Sequence, residues 1–133
     1  MKLGKKFGIG LAATALSLSL ATGAFAYGSD AAETSAPGYG TLKGSSWTTG
    51  STGGAETWVD SNNDNAYLVA GYTIQDRNGK NLASNQTSSA RGKRTHSIDY
   101  SAPTNAYTIH GTHGVQGGNT YAAKAVYTSV GIR

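Results

Sequence analysis

The stretch from Asn65 to Thr87 carries the clearest alternation of apolar and polar positions in the chain. One set of alternate positions in its first half is wholly apolar or aromatic: Ala66, Leu68, Ala70, Tyr72 and Ile74. A period of two is typical of a half-buried β-strand. Asn78 and Gly79 then predict a type I′ turn, because both central positions of that turn need positive φ. We therefore predict a β-hairpin here.

Shorter alternating runs flank this hairpin, and turn residues separate them. They predict further strands over residues 39–49, 55–60, 95–101, 106–112 and 120–132, with the last strand covered on both faces. Residues 50–54 form a turn that joins the first two of these strands into a second hairpin. With no convincing helix, the pattern predicts an all-β chain, a single small antiparallel β-sandwich or barrel-like domain of about six or seven strands.

Residues 1–26 have the pattern of a secretory signal peptide. A basic start precedes a short apolar run that is diluted by Gly, Ser and Thr, and an A-x-A cleavage site closes on Ala26. No basic cluster follows, which argues against a transmembrane anchor. We expect a secreted, extracellular protein that begins at Tyr27 without a membrane segment, with a flexible segment over residues 27–37 and the β domain over residues 38–133.

Removal of this leader changes the charge of the chain. Three of the 11 basic residues leave with it and all 7 acidic residues stay, so the formal net charge falls from +4 to +1. This balance does not favour a nucleic-acid partner, which would need a strongly basic face. The chain also has no cysteine, and its few aliphatic residues make the core depend on Tyr, Trp and Ala.

Asp60, Asn62 and Asp64 have the alternate-oxygen spacing of a calcium loop. The match ends there, since Asn65 stands where the EF-hand pattern has glycine and Gly71 where it has a bidentate glutamate. We therefore predict a turn stabilised by its own Asp and Asn side chains, without a metal ion.

His110 and His113, together with His96, raise the alternative of a zinc site. Residues three apart on a continuous strand face opposite sides, so the first two could converge only if Gly111 marked a bend. The chain also lacks a thiol, a G-x-S-x-G elbow, an HExxH motif and an obvious carboxylate pair. We expect no metal, no cofactor and no catalytic site.

Binding is the function class that the composition favours. Tyr and Trp rings stack on sugars or partner chains, and Asn, Ser, Thr and Gln supply hydrogen bonds beside them. We assign Tyr72, Tyr100 and Tyr107 to the core and expect exposed rings among four others: Tyr39, Trp47, Trp58 and Tyr67. Trp47 and Trp58 should lie side by side on their hairpin as a stacking platform.

Three basic residues, Arg91, Lys93 and Arg94, fall in one predicted connection. They suggest contact with an anionic wall polymer or a membrane surface, and the alternative is a charged, solvated turn.

The cleaved leader, the Cys-free mature domain rich in Gly and Tyr, and the run Lys-Arg-Thr-His-Ser at Lys93–Ser97 resemble secreted bacteriocins of the lactococcin type. The tryptophan-glycine pattern of that family near the mature N-terminus is not evident. The resemblance implies an antimicrobial protein that acts on other cells, and it assigns no site residue.

The leading hypothesis is a secreted non-catalytic β domain that binds a cell-envelope polysaccharide or a partner protein at the cell surface. The alternatives are the antimicrobial protein and a self-associating matrix protein, which the thin core and the exposed strand edges suggest. The candidate ligand-binding residues are Tyr39, Trp47, Trp58, Tyr67, Arg91, Lys93 and Arg94.

Overall fold

The computed structural model describes residues 28–131, which form eight β-strands and no helix. The strands are β1 (Gly28–Ala36), β2 (Gly40–Thr48), β3 (Thr52–Val59), β4 (Tyr67–Gln75), β5 (Asn81–Ser88), β6 (Thr95–Ser101), β7 (Thr108–Gln116) and β8 (Lys124–Gly131). The predicted all-β class is confirmed, and the strands form a sandwich with one strand more than the expected range. The predicted signal peptide and its cleavage site lie outside the described residues.

The strands pair into two antiparallel sheets that pack face to face. The first sheet has the order β1-β2-β3-β6, and the second sheet has the order β5-β4-β7-β8. β1 lies over β8 on one side of the sandwich, while β6 lies over β4 and β5 on the other. Within residues 28–131, no helix is long and apolar enough to cross a membrane.

Two main apolar clusters lie between the sheets, together with a third that consists of Ala55, Ala70 and Ile98. The larger cluster contains Ala36, Tyr39, Leu42, Val59, Ala66, Leu68, Val115 and Val126. The smaller cluster is centred on Ile74, Tyr100 and Ile109, with Tyr72 packed against it. Along β7, Gly111 and His113 lie between Ile109 and Val115, so the middle of the core also contains a buried polar ring.

The hairpin predicted around Asn78 and Gly79 is present as β4 and β5, but its turn is not type I′. Gly79 has a φ of 85°, whereas Asn78 is not among the residues with positive φ. The amide of Gly79 donates to the carbonyl of Asp76, and the Asp76 carboxylate accepts from the amides of Asn78 and Lys80. A type I turn followed by a left-handed glycine is the usual three-residue hairpin loop, and the Asp76 side chain stabilises it here.

The first strand differs from the flexible segment predicted over residues 27–37. β1 pairs with β2 along its whole length, from Gly28 opposite Thr48 to Ala36 opposite Gly40. Its inward positions are small, with Ala36 fully buried and Ala32 packed against the larger cluster. Because the residues of β1 are small or polar, the sequence shows no apolar alternation there. The strand is held in place by its backbone hydrogen bonds to β2.

The last strand also differs from its prediction. β8 was expected to be covered on both faces, yet its residues alternate between exposed and buried. Val126, Thr128 and Val130 face the first sheet, whereas Tyr127 is 65% exposed on the outer side. β8 is an edge strand with one covered face, so the apolar residues on its other face meet solvent.

Candidate functional site

The outer face of the first sheet brings the two tryptophans together with two carboxylates. We call its central part the Trp face, and it consists of three rows of cross-strand neighbours. The rows are Trp47, Gly54 and Asp99; then Ser45, Glu56 and Ser97; then Lys43, Trp58 and Thr95. Residues between these positions along each strand point into the core, as the alternation of burial along β2 and β3 shows.

The Trp47 ring lies against Gly54 on the neighbouring strand. A Cβ atom placed on Gly54 would come within 2.7 Å of Cζ2 of the indole, so only glycine leaves room for the ring. The backbone carbonyl of Trp47 accepts a hydrogen bond of 2.9 Å from the Tyr100 hydroxyl. Trp47 is partly buried, with its ring supported by the sheet.

Trp58 is on the same face as Trp47, but the two rings are not side by side. Trp58 pairs with Lys43, four residues before Trp47 on β2. Four residues of a strand span roughly 13 Å. The prediction of adjacent rings is therefore wrong, because the short connection closed by the Thr49 amide and the Thr52 carbonyl sets Trp47 opposite Gly54.

Glu56 lies in the row between the two tryptophans. Its carboxylate is partly buried, and within residues 28–131 it has no hydrogen bond or ion pair. Burial raises the pKa of this carboxyl above its usual range. A diagonal neighbour on an adjacent strand lies within roughly 7–8 Å, so Glu56 is within reach of a ligand that stacks on Trp47.

Beside Trp47, a cavity of about 570 Å³ opens at the seam between the sheets. Its walls include aromatic rings and one carboxylate, and its lining residues are Trp47, Thr52, Gly53, Tyr72, Asp99, Tyr100 and Ser101. The Tyr72 and Tyr100 rings have centroids 5.2 Å apart. Burial raises the pKa of Tyr100 to about 12, so this phenol remains neutral at physiological pH. The Asp99 side chain is exposed and has no partner among the described residues.

The predicted basic set does not belong to the Trp face. The Arg91 guanidinium lies 5.3 Å from the centre of the Tyr67 ring, on the second sheet, and donates to the carbonyls of Asn65 and Gly117. Arg91 and Tyr67 are therefore in contact, but Arg91 links the connections that contain Asn65 and Gly117 and lies away from the Trp face.

The other two basic residues lie nearer the first sheet. Arg94 donates to the carbonyl of Asp60 at 3.4 Å, and the carbonyl of Lys93 accepts from the Asn62 side chain. Neither residue is in the three rows of the Trp face, and both side chains are exposed. The structure thus divides the three predicted basic residues between two neighbourhoods.

Tyr39 was expected among the exposed rings, and this prediction is wrong because the residue is fully buried. Its hydroxyl donates to Asp64 at 2.8 Å, and the same carboxylate accepts from the amides of Thr120 and Tyr121. Burial, reinforced by the hydrogen bond to Asp64, raises the pKa of Tyr39 to about 12. The partner lies 25 residues away in the sequence, so local pattern could not reveal it.

Tyr107 was assigned to the core, but it is 42% exposed. The Arg77 guanidinium lies 5.3 Å from the centre of its ring. A guanidinium over the face of an exposed ring is a favourable cation–π contact. This contact stabilises the Tyr107 ring at the surface.

Asp60, Asn62 and Asp64 place their side-chain oxygens in separate hydrogen bonds. An oxygen of Asp60 accepts from the amide of Thr41 at 2.9 Å, and Asn62 Oδ1 accepts from the amide of Ala66 at 3.0 Å. Backbone hydrogen bonds, first that from Tyr121, lower the pKa of Asp64. Within residues 28–131, no group of three or more His, Cys, Asp or Glu is placed to hold a metal ion.

His110 and His113 face opposite sides of β7, as their spacing predicts. His110 is exposed, whereas His113 is fully buried and contacts the hydroxyls of Thr128 and Thr57 at 2.8 Å and 3.2 Å. Thr128 in turn contacts Ser46 at 2.6 Å. We call Ser46, Thr128, His113 and Thr57 the His113 chain.

The hydrogen positions in the His113 chain follow from one fixed end. Thr57 donates to the carbonyl of Val69 at 2.7 Å, so its oxygen accepts from Nδ1–H of His113. Nε2 is then the acceptor for Thr128, and Thr128 accepts from Ser46. Burial lowers the pKa of His113 to about 3, which keeps the ring neutral as this arrangement requires.

Sequence reasoning missed Glu56 and Asp99 as site residues. A signal was present, since Glu56 and Trp58 are two residues apart on one strand and must share a face. Asp99 could be placed beside Trp47 only after the pairing of β3 with β6 was known.

Comparisons with protein-family models, with curated proteins and with solved structures found no match to this chain. The geometry of the Trp face is therefore the basis on which a function can be argued. That face offers two aromatic rings, a carboxylate between them and an aromatic cavity at one end.

Proposed function

We propose that the protein is a secreted, non-catalytic β domain that binds a cell-envelope polysaccharide across the Trp face. The observation that carries the proposal is the placement of Trp47 and Trp58 on one outer face, with the unpaired Glu56 carboxylate between them. Indole rings stack on the apolar faces of sugars, and a carboxylate accepts hydrogen bonds from their hydroxyls.

The spacing of the rings favours an extended ligand. A separation of roughly 13 Å along the strands is too long for one sugar ring to contact both indoles. A chain of several sugar residues can reach from Trp58 over Glu56 to Trp47. Ser97, which flanks Glu56 in its row and is exposed, adds a hydroxyl beside this path.

Co-sedimentation of the mature protein with insoluble cell-wall material tests this proposal. Trp47→Ala and Trp58→Ala should each weaken retention roughly thirtyfold, because truncating an aromatic anchor at a binding surface typically costs upwards of about 2 kcal/mol. Tyr127→Ala is the matched control, since that ring is 65% exposed on the outer face of the second sheet. This variant should be retained like the wild-type protein.

Far-ultraviolet circular dichroism and a thermal melt should accompany each variant, because the Trp47 ring also covers Gly54. Loss of retention with the β spectrum intact supports the proposal. It would be wrong if wild-type protein stayed in the supernatant across a panel of wall polysaccharides, or if Tyr127→Ala released the protein as strongly as the tryptophan variants.

A further inference from the structure

The two carboxylates of the Trp face, Glu56 and Asp99, lie on neighbouring rows. Asp99 is opposite Gly54, and Glu56 is two residues further along the same strand as Gly54. Diagonal neighbours of this kind are roughly 7–8 Å apart. Within residues 28–131, neither carboxylate has a hydrogen bond or an ion pair. Like charges at this distance repel each other, and a cation placed near both would relieve that repulsion.

The cavity beside Trp47 adds a second feature that favours a cation. Three of its lining residues are aromatic, namely Trp47, Tyr72 and Tyr100, and Asp99 also lines it. The faces of aromatic rings attract an ammonium group electrostatically, most strongly when the group is partly removed from water. A carboxylate beside such rings provides the counter-charge.

Positive groups of the protein are concentrated at the opposite end of the Trp face. Lys43 is in the row of Trp58, and its Nζ lies 3.8 Å from Asp60 Oδ1. Arg94 contacts the carbonyl of the same Asp60. The end near Trp47 therefore carries carboxylates without a compensating cation of the described chain.

We infer that the ligand of the Trp face is an amino-sugar polymer with free, protonated amines. One of its ammonium groups binds at the cavity next to Trp47, between Asp99, which lines the cavity, and Glu56 in the neighbouring row. This inference rests on the proposed function and names its ligand class. A neutral polymer would leave both carboxylates without a counter-charge, and an anionic polymer would be repelled by them.

Two bead preparations that differ only in acetylation test the inference: chitosan beads, cross-linked so that they stay insoluble when their amines are protonated, and the same beads acetylated to chitin. At mildly acidic pH the wild-type protein should bind chitosan roughly tenfold more tightly than chitin, a difference of about 1.4 kcal/mol. Asp99→Asn and Glu56→Gln should each reduce this preference. Added salt should also reduce it, because mobile ions screen the attraction.

Glu33→Gln is the matched control, because Glu33 is on the same outer face but pairs with Lys43, in the row of Trp58. It removes the same charge and should leave the preference for chitosan unchanged. Equal binding to both polymers, abolished by Trp47→Ala, would overturn this inference and leave the proposed function standing. Failure of the wild-type protein to bind either polymer or any wall material would overturn both. An equal loss of preference in Glu33→Gln would show that only the general charge matters, and it would overturn the assignment of Asp99 and Glu56.

Discussion

The two faces of the first sheet differ in whether their polar side chains have hydrogen-bond partners within the protein. On the inner face, Ser46 and Thr57 belong to the His113 chain, in which every hydroxyl has a hydrogen-bond partner. On the outer face, Glu56 and Asp99 have no partner within residues 28–131. Inner polar groups that lacked partners would destabilise the fold, whereas outer ones can be satisfied by water until a ligand arrives. The contrast separates polar residues that hold the structure from those available to bind.

The inner face of the first sheet is tightly packed around the His113 chain. A Cβ atom on Gly111 would overlap with the hydroxyls of Ser46 and Thr128, at the centre of the His113 chain. Gly111→Ala should lower the free energy of unfolding by about 3 kcal/mol, because overpacking and a broken buried network act together. Denaturant unfolding measures the change.

Gly131→Ala is the control for that substitution, because no atom of the described residues lies within 4 Å of the position that its Cβ would take. It should change stability by no more than about 0.5 kcal/mol. Equal stability of both variants would show that the His113 chain has room to shift and does not constrain the core.

The inner face should also make stability depend on pH through His113. The folded pKa of about 3 lies below the ordinary value of 6.5, so in this interval the unfolded state binds a proton that the folded state does not. The contribution of neutral His113 to the free energy of unfolding is fully present above pH 6.5. It falls as pH decreases, by up to about 1.4 kcal/mol per pH unit well below that value. Chemical unfolding at a series of pH values between 6.5 and 5 measures this slope.

His113→Gln provides the comparison for the pH series. The variant should be less stable at neutral pH but should show a flatter profile across the same interval, because the titrating group is gone. Asp64 does not interfere, since its pKa is lowered from 3.8 and its contribution is lost only at more acidic pH. Parallel profiles for the variant and the wild-type protein would contradict the assignment.

Thr57 and Glu56 are adjacent on β3 but face opposite sides of the sheet, so their substitutions compare the two faces directly. Thr57→Val should cost about 1–3 kcal/mol, because it removes the partner of His113 and the hydroxyl that donates to the Val69 carbonyl. Glu56→Gln, one residue earlier and on the outer face, should change stability by at most about 0.5 kcal/mol. Thermal unfolding of the two variants side by side tests this, and a larger cost for Glu56→Gln would reveal a structural role for that carboxylate.

Much of the fold was accessible from the sequence because alternation is a local property. The run ending at Ile74 predicted β4, and Asn78-Gly79 located the following turn even though its type differed. β1 was missed because its inward residues, such as Ala32 and Ala36, are too small to stand out. Its position depends on pairing with β2, which no local pattern encodes.

The candidate site was predictable only in part, for a similar reason. Alternation places Trp47 on one face of β2, and the hairpin sets Trp58 on the same face of the sheet. The distance between the rings depends on the length of the connection, and the burial of Tyr39 depends on a distant carboxylate at Asp64. Asp99 joins the site through the pairing of β3 with β6, across more than forty residues of chain.

The position of β1 over β8 has a consequence for the time course of folding. The amide of Ser129 donates to Asp30 across a separation of 99 residues, and Val126 completes a cluster that includes Ala36. The entropy of bringing such distant segments together must be overcome before their contacts contribute any free energy. Domains dominated by non-local strand pairing fold in milliseconds to seconds. We therefore expect this sandwich to fold slowly, and a growing chain cannot close the β1 side until β8 has been synthesised.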